Sequence, residues 1–218
     1  MIKRLIIDID DTLIDWDIEY DSIVVPKVLE ELNMEYDPRY ADDVTNAIAK
    51  YEEYYEYYKI ENMLDIIKKE LNKDLPHNAV DVYLENVLEY ATPDELPKQY
   101  IEILEYLSQK YELVALTNWF RDIQEERLKK VGINKYFKEV FGAENFKAKP
   151  NIESFNTARG DKEFSECVMI GDSFEKDVMG AINVGMKAIW VNKRGKQIDF
   201  ENENIIEINK IEELREIL

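Results

Sequence analysis

The chain has 218 residues and carries 28 Lys and Arg against 47 Asp and Glu, a formal net charge of −19 at pH 7. So acidic a protein excludes nucleic acid and anionic membrane as main partners, because both are polyanions. A hydrophobic content of 45% with 34% charged residues suits one globular domain, or a domain with an insertion, and the single Cys leaves no internal disulfide.

The first predicted element is the apolar run Leu5-Ile6-Ile7, which ends in Asp8, Asp10 and Asp11 and suits a strand buried on both faces of a parallel sheet. From residue 15 to residue 91 the pattern is helical without a convincing strand. Helices are predicted over Ile23–Leu32, Tyr40–Tyr58, Met63–Leu71 and Ala79–Tyr90, punctuated by Asn33, Asp37-Pro38 and the stretch 72–76. Beyond residue 92, strands alternate with helices. Pro97–Gln109 and Asp122–Lys130 read as helices, the second stopped by Gly132; Leu113–Leu116, Val168–Ile170, Lys187–Val191 and Ile205-Ile206 read as strands. The expected fold is therefore α/β: a Rossmann-like, three-layer core with a parallel sheet, plus an inserted α-helical cap. The expected division is residues 1–14 and 92–218 for the core and 15–91 for the cap, placed over the carboxyl end of the first strand like a lid. The opening MIKRLIIDID lacks a long apolar stretch, and no run approaches membrane-spanning length, so a cytoplasmic protein is expected.

Two carboxylates as close as Asp8 and Asp10 repel each other, and a hard divalent cation such as magnesium relieves that repulsion by taking oxygen ligands. The alternative is a solvated strand end with turn-forming Asp. The run Met169-Ile170-Gly171-Asp172-Ser173 repeats the arrangement on another strand, with Asp177 five residues after Asp172. Asp172 can join Asp8 around one cation if the strands are neighbours; otherwise Asp172 or Ser173 is an ordinary helix cap. Thr117 and Asn118 end a strand, offering a hydroxyl and backbone N–H groups, and Lys149 is restricted by Pro150. A hydroxyl and an ammonium beside a carboxylate-bound cation describe a phosphate site.

Asp8-Ile9-Asp10-Asp11-Thr12-Leu13, Thr117-Asn118, Lys149-Pro150 and Gly171-Asp172-Ser173 with Asp177 resemble, in order, the four motifs of haloacid dehalogenase-like hydrolases. The resemblance continues through Leu128–Ile133, Tyr136-Phe137, Gly180-Ala181, Gly185–Lys187 and Ile189–Asn192, and covers residues 1–14 and 92–215. The insertion resembles the cap of the subfamily with an α-helical lid. The resemblance implies a magnesium-dependent phosphatase acting on a small phosphorylated metabolite. Asp8 would be the nucleophile that forms an aspartyl-phosphate, and Asp10 the acid and then the base. Magnesium would sit on Asp8, the backbone carbonyl of Asp10, and Asp172, with Asp177 as ligand or support; Thr117, Asn118 and Lys149 would hold phosphate. Family members that dehalogenate carbon lack an acid two residues after the nucleophile, so Asp10 favours phosphoryl transfer. The family's commonest first motif has Gly where this chain has Asp11, which adds a third acid near the metal.

Trp16 and Arg121 are possible substrate contacts, the first at the hinge to the cap and the second just after Thr117-Asn118. Tyr51, Tyr54, Tyr55 and Tyr58 are expected on one side of a helix, more often as packing than as a pocket wall. His77 reads as an exposed loop residue and Cys167 as core. Two alternatives remain at this level: a phosphomutase on the same machinery, and a non-catalytic phosphate-ligand-binding protein. The expected assembly is a monomer or a homodimer.

Overall fold

The computed structural model describes residues 1–16 and 20–218. Six strands form one parallel sheet: β1 (Arg4–Ile7), β2 (Glu112–Leu116), β3 (Glu139–Phe141), β4 (Cys167–Gly171), β5 (Lys187–Val191) and β6 (Ile205–Ile208), in the order β3-β2-β1-β4-β5-β6. The short apolar run at the start of the chain lies in the central strand β1, all four residues of which are buried, Arg4 included. Alternate residues of β1 enter different layers. Leu5 and Ile7 pack with Leu113, Ala115, Val168 and Ile170, whereas Ile6 packs with Val114, Leu116 and Met169. On the first side the sheet is covered by α5 (Lys98–Ser108) through Ile103, Leu104 and Leu107; on the other, Phe155 and Ala158 of α7 (Ile152–Arg159) cover it. The chain is thus an α/β protein with a Rossmann-like, three-layer core.

Between β1 and α5 lie α1 (Tyr20–Glu31), α2 (Tyr40–Tyr54), α3 (Ile60–Leu71) and α4 (Ala79–Tyr90), which share a hydrophobic cluster of their own. Asn72 ends α3 in the left-handed conformation, its N–H donating to the carbonyls of Lys68 and Lys69. The cluster reaches the sheet side of the molecule through Trp119, Phe120, Ile123 and Ala143, with Ala148 packed against it. Among the described residues no helix is long and apolar enough to cross a membrane.

Three features differ from the sequence reading. The helix predicted to run to Tyr58 stops at Tyr54, because Tyr55 is extended and the chain turns back. Tyr58 then stacks on Tyr51 with ring centroids 4.4 Å apart, and its N–H donates to the Ala143 carbonyl. The four tyrosines therefore do not share a helix side: Tyr51 and Tyr58 are buried, and Tyr54 is exposed. The edge strand β3 and helix α7 have no counterpart among the predicted elements. α1 begins at Tyr20 rather than Ile23, with Pro26 inside it.

Cys167, the first residue of β4, is fully buried, and burial pushes its thiol up to about 11 from an ordinary 9.0. The folded chain therefore holds the thiol proton more tightly than the unfolded chain. That contribution to stability is complete below pH 9 and is lost as the pH rises through about 11. At pH 8 the native protein is expected to resist a thiol reagent that titrates one thiol in the urea-unfolded chain. Rapid labelling of the native protein would show that β4 opens locally.

Candidate active site

The carboxyl ends of β1, β2 and β4 meet at the centre of the sheet, where the parallel strands leave a crevice. Asp8 follows β1 directly, and its N–H still donates to the Ile170 carbonyl at 2.9 Å, so its position is fixed by the ladder. The chain then folds into a tight loop in which the N–H groups of Leu13 and Ile14 both reach the Ile9 carbonyl. Asp11 takes a φ of 58°, a left-handed conformation that Asp tolerates better than most residues. Its carboxylate accepts from the Trp16 N–H at 2.9 Å and pairs with Arg194 at 3.2 Å. This third acid is engaged in the loop and raises the repulsion on Asp172 from there.

Lys149 stands at the centre of the cluster, 3% exposed at its side chain. Its Nζ donates to Asp8 Oδ1 at 2.6 Å, to Asp177 Oδ1 at 2.6 Å and to the Leu116 carbonyl at 3.0 Å, which uses all three protons. The Lys149–Pro150 peptide bond is cis. The Asn118 side chain clasps the lysine backbone: Oδ1 accepts from the Lys149 N–H at 2.7 Å, and Nδ2 donates to the Lys149 carbonyl at 2.8 Å. The Asn118 side chain thereby holds the Lys149 backbone in place, while the residue itself lines the crevice beside Thr117.

At the end of β4, a Cβ on Gly171 would collide with the Asp177 carboxylate, so only glycine fits. Asp172 donates its N–H to Thr12 Oγ at 3.0 Å, and that hydroxyl reaches Asp8 Oδ2 at 3.3 Å. Ser173 opens the wide helical turn Phe174–Met179, its Oγ accepting from the Lys176 N–H and its own N–H donating to Asp177 Oδ2. That turn leads into α8 (Gly180–Asn183), which closes the connection to β5.

Burial raises the Asp8 carboxyl well above the ordinary carboxylate range; Lys149 opposes the shift, and Asp177 and Asp10 add to it. Burial and the nearby Asp177 and Asp11 push Asp172 up to about 6. For Lys149, burial works against the charge, but Asp177 and Asp8 outweigh it and push the ammonium up. One lysine thus faces more carboxylate than it neutralises. Oxygens of Asp8, Asp172 and Asp177 all lie within 4.8 Å of one another. An all-carboxylate set with residual negative charge fits a hard divalent cation.

Asp10 is held differently. Arg127 Nη1 pairs with its Oδ1, and Gln124 Nε2 donates to its Oδ2 at 2.5 Å. Both residues belong to α6 (Arg121–Lys130), and both are fully buried. Thr117, also buried, accepts from the same Gln124 amide at 3.1 Å. From the helical block, Glu52 of α2 accepts from Asn118 Nδ2 at 2.9 Å and pairs with Lys176 at 2.8 Å. Sequence reading marked none of Gln124, Arg127 or Glu52. Arg121, by contrast, lies outside the cluster. Its guanidinium pairs with Glu125 one turn along α6, and its backbone N–H donates to Glu144.

Two cavities adjoin these residues. One of about 270 Å³ is lined by Asp8, Asp10, Thr117, Lys149, Asp172 and Lys176. A larger one of about 710 Å³ shares Asp11 and Asp172 with it and runs between Thr45, Ile48 and Ala49 of α2 and the segment 191–196 after β5, beside Trp16. Trp16 packs against Trp119 with centroids 6.1 Å apart.

Acids and a lysine gathered at the carboxyl edge of a parallel sheet occupy the place where open α/β sheets bind their ligands. The chain belongs to the haloacid dehalogenase-like hydrolases, whose family model matches residues 2–185. It is 29% identical over 126 residues to the pyrimidine 5'-nucleotidase YjjG of Escherichia coli, which covers 56% of this chain and 55% of that protein. Over 226 residues it is 26% identical to the glyceraldehyde 3-phosphate phosphatase of Methanocaldococcus jannaschii, covering 100% of this chain and 97% of that protein. The first of these matches thus spans about half of the relative's length. The HAD-hydrolase YfnB of Bacillus subtilis, solved with magnesium bound, has the same fold, with a TM-score of 0.74 at 24% identity over 99% of this chain and 98% of that one.

Proposed function

We propose that this chain is a magnesium-dependent phosphatase that hydrolyses a small soluble phosphomonoester through an aspartyl-phosphate on Asp8. The observation that carries the reading is Asp8 itself: a buried carboxylate with Lys149 on one oxygen, at the crossing of two carboxylate-bearing loops. The Asp8 oxygen attacks phosphorus while the bond to the substrate's leaving oxygen breaks, and Asp10 gives that oxygen a proton. A water then attacks the phosphorus of the aspartyl-phosphate, passes its proton back to Asp10, and frees Asp8. Thr117 and Lys149 bind the transferring oxygens, and Lys149 offsets the charge gathered at Asp8. When bound, magnesium would be held by Asp8, Asp172 and the Asp10 carbonyl, with Asp177 behind them, and would neutralise the phosphoryl group. The relatives named above as a nucleotidase and a phosphatase support the reaction class, and Asp10 favours phosphoryl transfer over dehalogenation.

The larger cavity suits a leaving group of metabolite size, with Trp16 as one wall. Residues 15–91 act as the cap that closes it, Glu52 clasping Asn118 and Lys176. Such a cap, together with a net charge of −19, excludes nucleic acid and membrane and suits a cytoplasmic enzyme. Hydrolysis of a generic aryl phosphate is expected to require magnesium and to fall at least about 100-fold in excess chelator. Turnover that is indifferent to the chelator would overturn the reading.

A further inference from the structure

We infer that Arg127, with Gln124, is the positioning residue that holds Asp10 for the second half of the reaction, the attack of water on the phosphorylated enzyme. The inference rests on the phosphatase reading above, which gives Asp10 its proton-transfer task. It begins with an oddity of α6. Ten mostly polar residues look like a solvated helix, yet one of its two arginines, Arg127, is 0% exposed. A buried guanidinium is costly unless it is paired, and Arg127 spends its pairing on the active site. Nη1 bonds Asp10 Oδ1 and the Gln124 Oε1 at 2.8 Å, and Gln124 Nε2 takes Asp10 Oδ2. Each carboxylate oxygen of Asp10 therefore has its own donor.

The clamp is itself braced. Arg127 Nε donates to Thr92 Oγ at 3.1 Å, where the chain returns from the helical block, and the guanidinium lies 5.4 Å from the Trp16 ring, where the chain leaves for it. Gln124 also binds the Thr117 hydroxyl, which ties the aim of Asp10 to the phosphate side of the crevice. Nη2 has no hydrogen-bond partner, although it is buried. Arg–carboxylate pairs are frequently bidentate. Here Arg127 meets one oxygen of Asp10 and Gln124 the other, so the two α6 residues together set where the Asp10 oxygens stand.

An aryl phosphate separates the two halves of the reaction. Its leaving group is a weak base and departs with little help from an acid, whereas water still needs a well-placed base. Misplacing that base slows only the second step, so the phosphorylated enzyme accumulates. For Arg127→Met, a rapid-mixing trace is expected to show a burst approaching one aryl alcohol per enzyme. The steady-state kcat should then be about 100-fold lower, and KM should fall with it, so that kcat/KM stays near the wild-type value. Arg127→Lys, which keeps a cation in reach, is expected to recover part of kcat and to shrink the burst. Gln124→Met, which leaves no buried charge unpaired, provides the same test if Arg127→Met does not fold. A purely structural role predicts no burst and a loss of kcat/KM in proportion to folded protein, and that result would overturn the inference. Asp10→Asn is the reference. A burst there but in neither α6 variant sinks the positioning role alone, while no burst in Asp10→Asn sinks the assignment of Asp10 and the inference with it.

Discussion

Asp8→Asn is expected to lower magnesium-dependent hydrolysis by at least about 10⁴-fold while leaving the protein folded. The substitution keeps the size of the side chain and one oxygen that can still accept from Lys149 Nζ, while its NH2 takes the place of the oxygen that met the Thr12 hydroxyl. What disappears is the anionic oxygen that the proposed mechanism bonds to phosphorus, and no neighbouring group can replace it from the same place. Asp177 lies behind Lys149 and accepts from it and from the Ser173 N–H, so its oxygens are spoken for. The effect on stability has the opposite sign. Burial disfavours the charged form of Asp8 in the folded state, so a neutral side chain removes a penalty, and the melting temperature at pH 7 should hold or rise. Steady-state kinetics and a thermal melt on the same preparation check both halves. Residual turnover above about 1% that does not grow on storage would sink the nucleophile assignment.

Lys149→Met is expected to cost both activity and stability, and the stability loss is the more diagnostic. The ammonium stands between the carboxylates of Asp8 and Asp177, each 2.6 Å away, and all three side chains are buried. Removing one partner of a buried ion pair while leaving the others charged costs about 3–5 kcal/mol. For a chain of this size that corresponds to roughly 10 °C in melting temperature. Neutralising Asp177 in the same chain (Lys149→Met with Asp177→Asn) removes one of the stranded charges, and urea titration of the pair should show clear recovery. If the double variant is as unstable as the sum of the singles, the lysine is holding the loop through its backbone and not through its charge.

Much of this arrangement was legible in the sequence because it sits at the ends of apolar runs. Leu5-Ile6-Ile7, Leu113–Leu116 and Val168–Ile170 read as buried strands, and in a parallel sheet their carboxyl ends have to come together. Asp8 and Thr117 follow those runs directly, and Asp172 comes one residue later, after Gly171. What escaped was everything decided by burial from outside. In α6 the apolar positions are Ile123 and Leu128, so Gln124 and Arg127 look like solvent-facing residues between them. They become buried because Thr92 and Trp16, from the two connections to the helical block, close over that side. The strand β3 is three residues long and half-covered at the sheet edge, too short for alternation to show. The end of α2 carried no glycine or proline signal. It is set by tertiary packing, which draws Tyr58 against Trp119 and Phe120. Asn118 was correctly singled out as a polar strand end, but its amide is occupied by the Lys149 backbone, a partnership that depends on a loop 31 residues away.

The strand that carries Asp8 is near the amino terminus, yet its neighbours arrive late. Ile7 pairs with Ala115 on one side and with Ile170 on the other. A growing chain therefore displays the first strand long before anything exists to lie beside it, and the intervening helices can assemble on their own in the meantime. Closing those loops has an entropic cost that only the finished sheet repays. Asp8 and Lys149 meet only once both distant strands have docked. Catalytic competence in this molecule should consequently appear all at once, with the last of the sheet, and a ribosome-bound fragment ending before β4 should have no activity to misdirect.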